Sequence, residues 1–314
     1  MVRFLFRTLF ITAAFVATPT SLAKDLSPTK PPSKNFKLKG WTLTLPTDLD
    51  KNGKADLIKE KYLSKDFEAK PFFYTGGDGG MVFASPIKGA KTSKNTSYTR
   101  SELREMLRKG NTDIKTKNKD GTPNKNNWVF STAPERTQKT AGGVDGVMEA
   151  TLAVNRVTTT GSDNQVGRVI IGQIHAKDDE PIRLYYRKLP GNENGAIYAA
   201  HESKSVPDDI YYDIIGSRSK SAANPENGIA LNEKFSYKID AKGHTLDVTI
   251  YNAADDIIGE TSIDMTNSGY DVPDDYMYFK AGVYNQNKSG DPTDYVQATF
   301  YKLDVSHDKY RKKK

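Results

Sequence analysis

The sequence predicts an all-β protein, folded as a two-sheet antiparallel sandwich. Many short segments alternate between apolar and polar residues, which places the apolar side chains on one face of a strand. Turn residues separate these segments at short intervals, as in β-sandwiches. The chain has 314 residues and no cysteine, so a core and not disulfide bonds must stabilise it. We see no internal repeat and expect one large domain.

The strand pattern begins at Trp41, where Trp-Thr-Leu-Thr-Leu-Pro alternates. Residues 56–67 suit a short helix, and residues 72–84 suit a hairpin around a glycine-rich turn. Residues 112–127 form a long polar loop, either a mobile lid or simply a loop. In the segment 147–154 the even-numbered residues are expected to face the core. Strands are also expected at 166–175, 182–188, 196–201, 211–215, 235–239, 245–251, 277–284 and 296–305.

The two ends of the chain have a different composition from the middle. Residues 1–23 have the features of a secretory signal peptide: Arg3 and Arg7 precede a short apolar run, and small residues end it. Residues 24–35 are rich in proline and polar residues and predict an extended or disordered leader. The folded domain is expected to span 36–306, before a basic tail at 307–314. The mature protein is therefore expected to be secreted, extracellular or periplasmic, with no membrane span.

The net charge is modestly positive. The formal charge is +7, of which Arg3 and Arg7 contribute two and residues 311–314 contribute four. A positive surface suits an acidic polymer, whether polysaccharide or nucleic acid. An ordinary charge for solubility explains the balance equally well.

Within the segment Arg-Ser-Glu-Leu-Arg, Arg100, Glu102 and Arg104 fall on one face of a strand. Two guanidinium groups beside a carboxylate are costly to bury, so this face is expected to meet water or an anionic ligand. Glu102 is expected to hold both arginine forks in place. A solvated ion-pair ladder across strands would give the same pattern.

Two later strands also have polar faces. In Ile-Gly-Gln-Ile-His, Gln173 and His175 share one face, although a histidine at a strand end is often structural. The other strand, residues 277–284, has a polar face in which Gly282 is expected to leave room for a ligand. This is the third polar face. If the three strands are neighbours in one sheet, their faces form a groove lined by cations, amides and phenols. The residues of the third face are Tyr278, Lys280, Gly282, Tyr284 and Gln286.

These segments are similar to the three signature motifs of the family 7 polysaccharide lyases, which are mostly alginate lyases. Arg-Ser-Glu-Leu-Arg, Gln-Ile-His and Tyr-Phe-Lys-Ala-Gly-Val-Tyr-Asn-Gln occur in the order that the family has, and the resemblance runs from Trp41 to about Val305. It implies a β-jelly roll with a substrate groove across one sheet. It also implies an enzyme that cleaves alginate, a polymer of mannuronate and guluronate, by β-elimination. Endo action is expected, with an unsaturated uronate at the new non-reducing end.

The resemblance also implies roles for individual residues. Arg100 and Gln173 would neutralise the substrate carboxylate, His175 would accept a proton, and Tyr284 would donate one and in some accounts also act as the base. The isoleucine in Gln-Ile-His is associated in the family with guluronate-containing blocks. The substrate-binding and supporting positions would be Glu102, Arg104, Tyr278, Lys280 and Gln286.

The residue types fit the chemistry of such a reaction. The C5 proton of a uronate becomes acidic when donors neutralise the adjacent carboxylate, as an oxyanion hole does. A neutral histidine, with an ordinary pKa of about 6.5, can take that proton, and a tyrosine can protonate the leaving oxygen. No metal or cofactor is required. The expected partner is the anionic polysaccharide alginate, with no nucleic acid and no membrane, and a monomer is expected.

Other functions need other residues. A glycoside hydrolase would need two carboxylates flanking the bond, whereas the polar faces hold one, Glu102. A non-catalytic polysaccharide-binding module would not need an aligned histidine and tyrosine. A lyase for another polyuronate, such as glucuronan, stays an alternative.

Two further motifs have simpler interpretations. Residues 48–59 resemble the start of a calcium loop, but Lys59 takes the place of its final glutamate, which favours a polar turn. Asn95 and Asn287 begin glycosylation sequons, and a glycan at Asn287 would obstruct the groove.

Overall fold

The chain folds into two β-sheets packed face to face, as a computed structural model describes for residues 25–311. The helices are α1 (Pro32–Asn35), α2 (Glu60–Leu63) and α3 (Glu135–Thr140), with a 3-10 turn at Leu38–Gly40. The strands are β1 (Trp41–Thr44), β2 (Leu57–Ile58), β3 (Phe73–Thr75), β4 (Met81–Pro86), β5 (Arg100–Glu105), β6 (Trp128–Val129), β7 (Gly143–Arg156), β8 (Arg168–His175), β9 (Ile182–Arg187), β10 (Asn194–His201), β11 (Ile210–Ile215), β12 (Ile229–Ala230), β13 (Phe235–Lys242), β14 (Thr245–Tyr251), β15 (Ile257–Asp264), β16 (Tyr278–Asn285) and β17 (Tyr295–Asp308).

The strand orders confirm the predicted sandwich, and the architecture is a β-jelly roll. The first sheet runs β11-β10-β9-β8-β16-β5-β1-β2, with β12 beside β10. The second runs β15-β14-β13-β7-β17-β4-β3, with β6 beside β7. The pairs are antiparallel except β6 with β7, which is parallel. Neighbours far apart in sequence, such as β5 and β16, therefore lie side by side.

The core lies between the two sheets. On β7 the residues predicted to face it, from Met148 to Val154 at even positions, are all buried. Leu103, Ile174 and Phe279 reach the same core from the first sheet. Full burial of one such side chain contributes about 1.5–3 kcal/mol to the free energy of unfolding. The motif strands are thus held by their apolar faces, which leaves their opposite faces for polar groups.

The three motif strands are adjacent, in the order β8-β16-β5 near the middle of the first sheet. Tyr278 pairs with His175, and Tyr284 pairs with Arg100. Lys280 lies between Gln173 on one side and Arg104 on the other. The predicted neighbourhood is confirmed.

Gly282 marks an irregularity in the central strand. β16 has one extra residue relative to β8 between Ala281 and Tyr284, which is a β-bulge. Gly282 has φ +135°, and a Cβ there would lie 2.6 Å from the carbonyl oxygen of Ser101 and 2.9 Å from the Cα of Glu102. Glycine is therefore needed because strand β5 approaches closely. Strand β5 takes that space. The interpretation from the sequence, that a ligand would lie there, is wrong.

Some elements differ from the sequence prediction. The expected helix at 56–67 is the single turn α2, preceded by the two-residue strand β2. Helix α3 and strand β15 were not predicted. β15 is an edge strand with mostly exposed or half-exposed residues, so it lacks the apolar alternation that identifies a strand in a sequence.

The ends of the described chain are attached to the sandwich. The predicted signal peptide, residues 1–23, lies outside the described residues. Part of the predicted leader forms α1, and the amide of Asn35 donates to the carbonyl oxygens of Ser27 and Gly79. His307, the first residue of the predicted tail, belongs to β17, and residues 312–314 lie outside the described range. No helix between residues 25 and 311 has the length and apolar character needed to cross a membrane.

Candidate active site

Glu102 is the hub of the polar face formed by β8, β16 and β5. Its Oε2 accepts a hydrogen bond from Nη1 of Arg100 at 3.1 Å and pairs with Nζ of Lys280. Its Oε1 accepts a hydrogen bond from Nε2 of Gln173. Burial alone would raise the pKa of this carboxyl group, but Lys280 and Arg100 outweigh it and lower the pKa. Glu102 is thus an ionised acceptor beneath the surface and not a group that meets a ligand.

Arg104 does not share this hub. Its guanidinium carbon lies 4.0 Å from the centre of the Tyr278 ring, and no ion pair joins it to Glu102 among residues 25–311. The expectation that Glu102 holds both arginines is wrong. Both of its oxygens are already occupied by donors from three strands, so Arg104 stacks on the phenol ring instead.

Tyr284 lies under Arg100. The guanidinium carbon is 3.6 Å from the centre of the phenol ring, and Tyr98 meets the ring edge-on at 6.2 Å. Burial raises the pKa of Tyr284, partly opposed by the charge of Arg100. The phenol therefore keeps its proton at neutral pH and is available as a donor.

One ring nitrogen of His175, Nε2, has no backbone partner within residues 25–311. Its Nδ1 lies 2.6 Å from the carbonyl oxygen of Ala176, which can only accept, so Nδ1 carries the proton and Nε2 keeps the lone pair. The ring stacks on Tyr278 with centres 5.0 Å apart. Burial, and then the charges of Lys280 and Arg100, lower the pKa of His175 to about 3. The imidazole is thus neutral in the free protein, with a lone pair on Nε2.

Lys280, Gln173 and Gln286 are buried, unlike the partly exposed Arg100, Arg104, Tyr278 and Tyr284. Burial, and then the charge of Arg100, lower the pKa of Lys280 to about 8, although Glu102 opposes this. Oε1 of Gln173 and Nε2 of Gln286 have no hydrogen-bond partner in the described part of the chain. Gln286 follows the last residue of β16, and its backbone N–H donates to the carbonyl oxygen of Arg168 at 3.3 Å.

The structure places eight of the nine predicted site residues on three adjacent strands, in two groups of contacting side chains. The first group is Arg100, Glu102, Gln173, Lys280 and Tyr284, and the second is the stack of Arg104, Tyr278 and His175. No contact joins Gln286 to either group among residues 25–311.

Two glutamates at the site were not predicted. Oε1 of Glu180 lies 3.3 Å from Nε2 of His175, and the backbone N–H of Glu180 donates to Oε2 of Glu202 at 3.2 Å. Glu180 ends the acidic run Asp-Asp-Glu, which follows strand β8. This acidic run is the sequence signal that could have identified Glu180. Glu202 directly follows β10 and has no such signal.

Two other predicted features have structural explanations. The Asp48 carboxylate accepts hydrogen bonds from the backbone N–H groups of Asn52, at 2.9 Å, and Gly53, at 3.0 Å, as in a polar turn. The side chain of Asn287 is buried and donates to Thr158 and Thr160. A glycan at Asn287 therefore could not be attached to the folded chain, while Asn95 is exposed.

Comparison with known proteins agrees with this geometry. A family model described as alginate lyase matches residues 36–307. This chain belongs to the alginate lyase family. Within it, the chain is a polysaccharide lyase of family 7. An alginate lyase from Klebsiella pneumoniae is 56% identical over 284 residues, which cover 88% of this chain and 91% of the relative.

Solved structures show the same fold in other alginate lyases. The crystal structure of the alginate lyase from Klebsiella pneumoniae has a TM-score of 0.85 and 54% identity, and covers 88% of this chain and 98% of that one. An alginate lyase from Pseudomonas aeruginosa has a TM-score of 0.60 and 28% identity, with 86% and 99% covered. The exolytic family 7 alginate lyase from Zobellia galactanivorans, 20% identical with a TM-score of 0.66 and 90% and 100% covered, shares the fold.

Proposed function

We propose that this alginate lyase is exported and cleaves alginate within the polymer chain by β-elimination. The observation that carries the proposal is the arrangement of His175 and Tyr284 on adjacent strands beside Arg100. It combines an imidazole nitrogen, a protonated phenol and a cation on one face of the sheet. A binding module has no use for such an arrangement.

In the proposed reaction, the first event takes place at C5 of the uronate. The guanidinium of Arg100 neutralises the adjacent carboxylate, which makes the C5 proton acidic and stabilises the enolate-like intermediate. Nε2 of His175 takes that proton, because Nδ1 is engaged with Ala176. Gln173, which is fully buried and bonded to Glu102, assists only if its amide turns towards the substrate.

The second event is departure of the oxygen at C4. The electron pair of the C5–H bond forms the C4–C5 double bond as the C4–O bond breaks. The hydroxyl of Tyr284 protonates the leaving oxygen. The product carries an unsaturated uronate at its new non-reducing end, and no water is added. Glu102 supports this machinery by holding both Arg100 and Lys280 in place.

The position of the site in the sheet supports endo action. The motif strands have β9, β10 and β11 on one side and β1 and β2 on the other. Sheet surface therefore extends on both sides of the reacting residues, and neighbouring strands are about 4.8 Å apart. A polymer crossing the strands has room for sugars on both sides of the cut bond. Export is supported by the sequence of residues 1–23.

The test is to add purified protein to alginate and to follow ultraviolet absorbance from the double bond together with reducing ends. We expect both to rise, with a rapid fall in viscosity and a ladder of oligomers as the marks of endo action. Activity should survive a chelator. Reducing ends without absorbance would indicate a hydrolase, neither signal would indicate a binding module, and release of single sugars from the outset would contradict endo action. Greater activity on glucuronan than on alginate would contradict the proposed substrate.

A further inference from the structure

A cavity lined by arginines lies next to the candidate active site on the first sheet. Its volume is about 590 Å³. Arg168 on β8, Arg187 on β9 and Tyr198 on β10 line it from the sheet. Arg218 and Lys220, in the loop between β11 and β12, also line it. Four of these five side chains are cations, so the cavity suits an anion.

A row of side chains connects this cavity with Tyr284. Strand register sets four residues side by side across the sheet: Tyr284, Ile170, Tyr185 and Tyr198. These four pack together, and the rings of Tyr185 and Tyr198 stack with their centres 4.6 Å apart. Strand β10 is three strands from β16, which is about 14 Å at the usual strand spacing. The cavity therefore lies on the same face as the reacting residues but is separate from them.

The arginines on the sheet are held in place by backbone carbonyl groups. Nη2 of Arg168 donates to the carbonyl oxygen of Gln286 at 2.9 Å. Arg187 donates from Nη1 to the carbonyl oxygen of Arg218 and from Nη2 to that of Asp163, which lies in the loop between β7 and β8. These acceptors fix the two guanidinium groups without neutralising their charge.

The positive charge of the cavity is not balanced by nearby carboxylates. Within residues 25–311, no carboxylate forms an ion pair with Arg168, Arg187 or Arg218. Asp213 also lines the cavity, but its carboxylate accepts the backbone N–H of Arg218 at 3.0 Å. Burial, and after it the like charges of Arg168 and Arg218, lower the pKa of Arg187. An anion in the cavity would relieve this repulsion.

Buried donors at the cavity lack acceptors. The Nε atoms of Arg187, which is 5% exposed, and of Arg168 have no hydrogen-bond partner in the described part of the chain. The same holds for Nε2 of the buried Gln286, whose carbonyl group Arg168 contacts. Buried donors normally have a partner, and a carboxylate offers two acceptor oxygens in the geometry of a guanidinium fork. The chemistry of the cavity therefore fits a carboxylate.

We propose that this cavity binds the carboxylate of a second uronate, in the same alginate chain whose cleaved bond lies at Tyr284. The inference rests on the proposed function and adds to it a binding site for a sugar that does not react. A polyuronate that crosses the strands from Tyr284 towards β11 carries a carboxylate on every sugar along this face. Arg168 and Arg187 hold that carboxylate, and Arg218 contributes charge from its loop. Affinity therefore depends on whether an oligomer is long enough to reach the cavity.

The test measures binding of alginate oligomers of increasing length. Titrations use Tyr284→Phe as the background to prevent cleavage, and kcat/KM is measured for the same oligomers with Tyr284 intact. Affinity should rise in a step at the length that reaches the cavity. Adding Arg168→Gln should weaken binding of longer oligomers roughly tenfold, because a charge-assisted hydrogen bond is lost, and shorter oligomers should lose less than about twofold.

Two further variants separate the cavity from charge in general. Arg218→Gln should weaken binding of the longer oligomers by about two- to fivefold, because Arg218 is exposed and stacked on Tyr211 at 4.0 Å. The matched control is Arg156→Gln. Arg156 is also stacked on a tyrosine, Tyr295, at 4.4 Å, but it ends β7 in the other sheet. This control should leave the step unchanged.

Several results would overturn the proposal. An equal loss of affinity at every length would mean that the arginines act only through the overall charge of the groove. Arg168-dependent binding of inorganic phosphate, without a step in oligomer affinity, would assign the cavity to a free anion. Circular dichroism and thermal unfolding identify a variant that fails to fold. In that case Arg168→Lys, which keeps the charge but lacks the planar fork, replaces Arg168→Gln and should lose part of the step.

Failure of this inference and failure of the proposed function give different results. If the protein does not cleave alginate but the step in affinity is present and disappears with Arg168→Gln, the proposed function is wrong and the cavity still binds a uronate. If the protein cleaves alginate and neither Kd nor kcat/KM for longer oligomers depends on Arg168 or Arg218, the cavity is not a binding site and the proposed function stands.

Discussion

The guanidinium of Arg100 is stacked on the ring of Tyr284, with 3.6 Å between its carbon and the ring centre. The same guanidinium donates to the Glu102 carboxylate at 3.1 Å. A cation over an aromatic face is attracted by the ring, and a buried carboxylate fixes its direction. Arg100 is therefore held in one place by two neighbouring strands, beside the phenol that is proposed to donate a proton.

Replacing Arg100 should reduce the rate of chemistry and not only binding. Arg100→Ala leaves the substrate carboxylate charged, and the loss of one such donor costs on the order of a hundredfold or more in kcat. Arg100→Lys keeps a charge but loses the planar fork, so its loss should be smaller. Steady-state kinetics on alginate measure both. Near-normal kcat with only a raised KM would assign Arg100 to binding alone.

Removing the charge of Glu102 should destabilise the fold. In Glu102→Gln the ammonium of Lys280 stays buried without its anion, and breaking a buried pair in this way costs about 3–5 kcal/mol. Urea unfolding of wild type and variant measures the difference. The matched control is Glu149→Gln, because Glu149 pairs with the half-exposed Lys302. A loss of about 0–1 kcal/mol in the free energy of unfolding is expected for this variant. Equal effects in the two variants would contradict the role of Glu102 as hub.

A buried histidine should make stability depend on pH. Nε2 of His307 lies 2.7 Å from Glu105, and Nδ1 lies 2.7 Å from the carbonyl oxygen of Asp145. Burial alone would lower the pKa of His307, but Glu105 outweighs it and the pKa is raised. A raised folded pKa stabilises the fold fully below the unfolded value of about 6.5, and this contribution is lost as pH rises through the folded pKa.

We therefore expect the free energy of unfolding of wild type to exceed that of His307→Gln most between about pH 5 and 6.5. The difference should shrink as the pH rises further. Urea unfolding at a series of pH values measures it, and Glu105→Gln should remove the same trend. A difference that grows with pH would contradict the assignment.

The sequence predicted the faces of strands better than the contacts within a face. A period of two placed Arg100, Glu102 and Arg104 together, and the structure agrees. It identified Arg100 as a partner of Glu102 but not Gln173 or Lys280, because these two donors come from other strands. Gln173 is 71 residues from Glu102 in the chain, and cross-strand register alone brings them together. The partner of Arg104 was missed for the same reason.

Residues in turns carry no periodic signal. Glu180 lies in the β8–β9 turn and Glu202 lies just beyond β10, so no alternation pointed to them. Gly282 was identified as special, but for the wrong reason. The need for glycine arises from the approach of β5 at a bulge, which depends on the three-dimensional pairing.

The most direct test of the proposed mechanism is single-turnover cleavage of an alginate oligomer by Tyr284→Phe, beside a binding titration of the same variant. The substitution keeps the ring on which Arg100 stacks and removes only the hydroxyl. If that hydroxyl protonates the leaving oxygen, the cleavage rate should fall by roughly two to four orders of magnitude while the Kd stays close to that of wild type. A wild-type cleavage rate with altered binding would reject Tyr284 as the proton donor and leave His175 as the principal proton-transfer group.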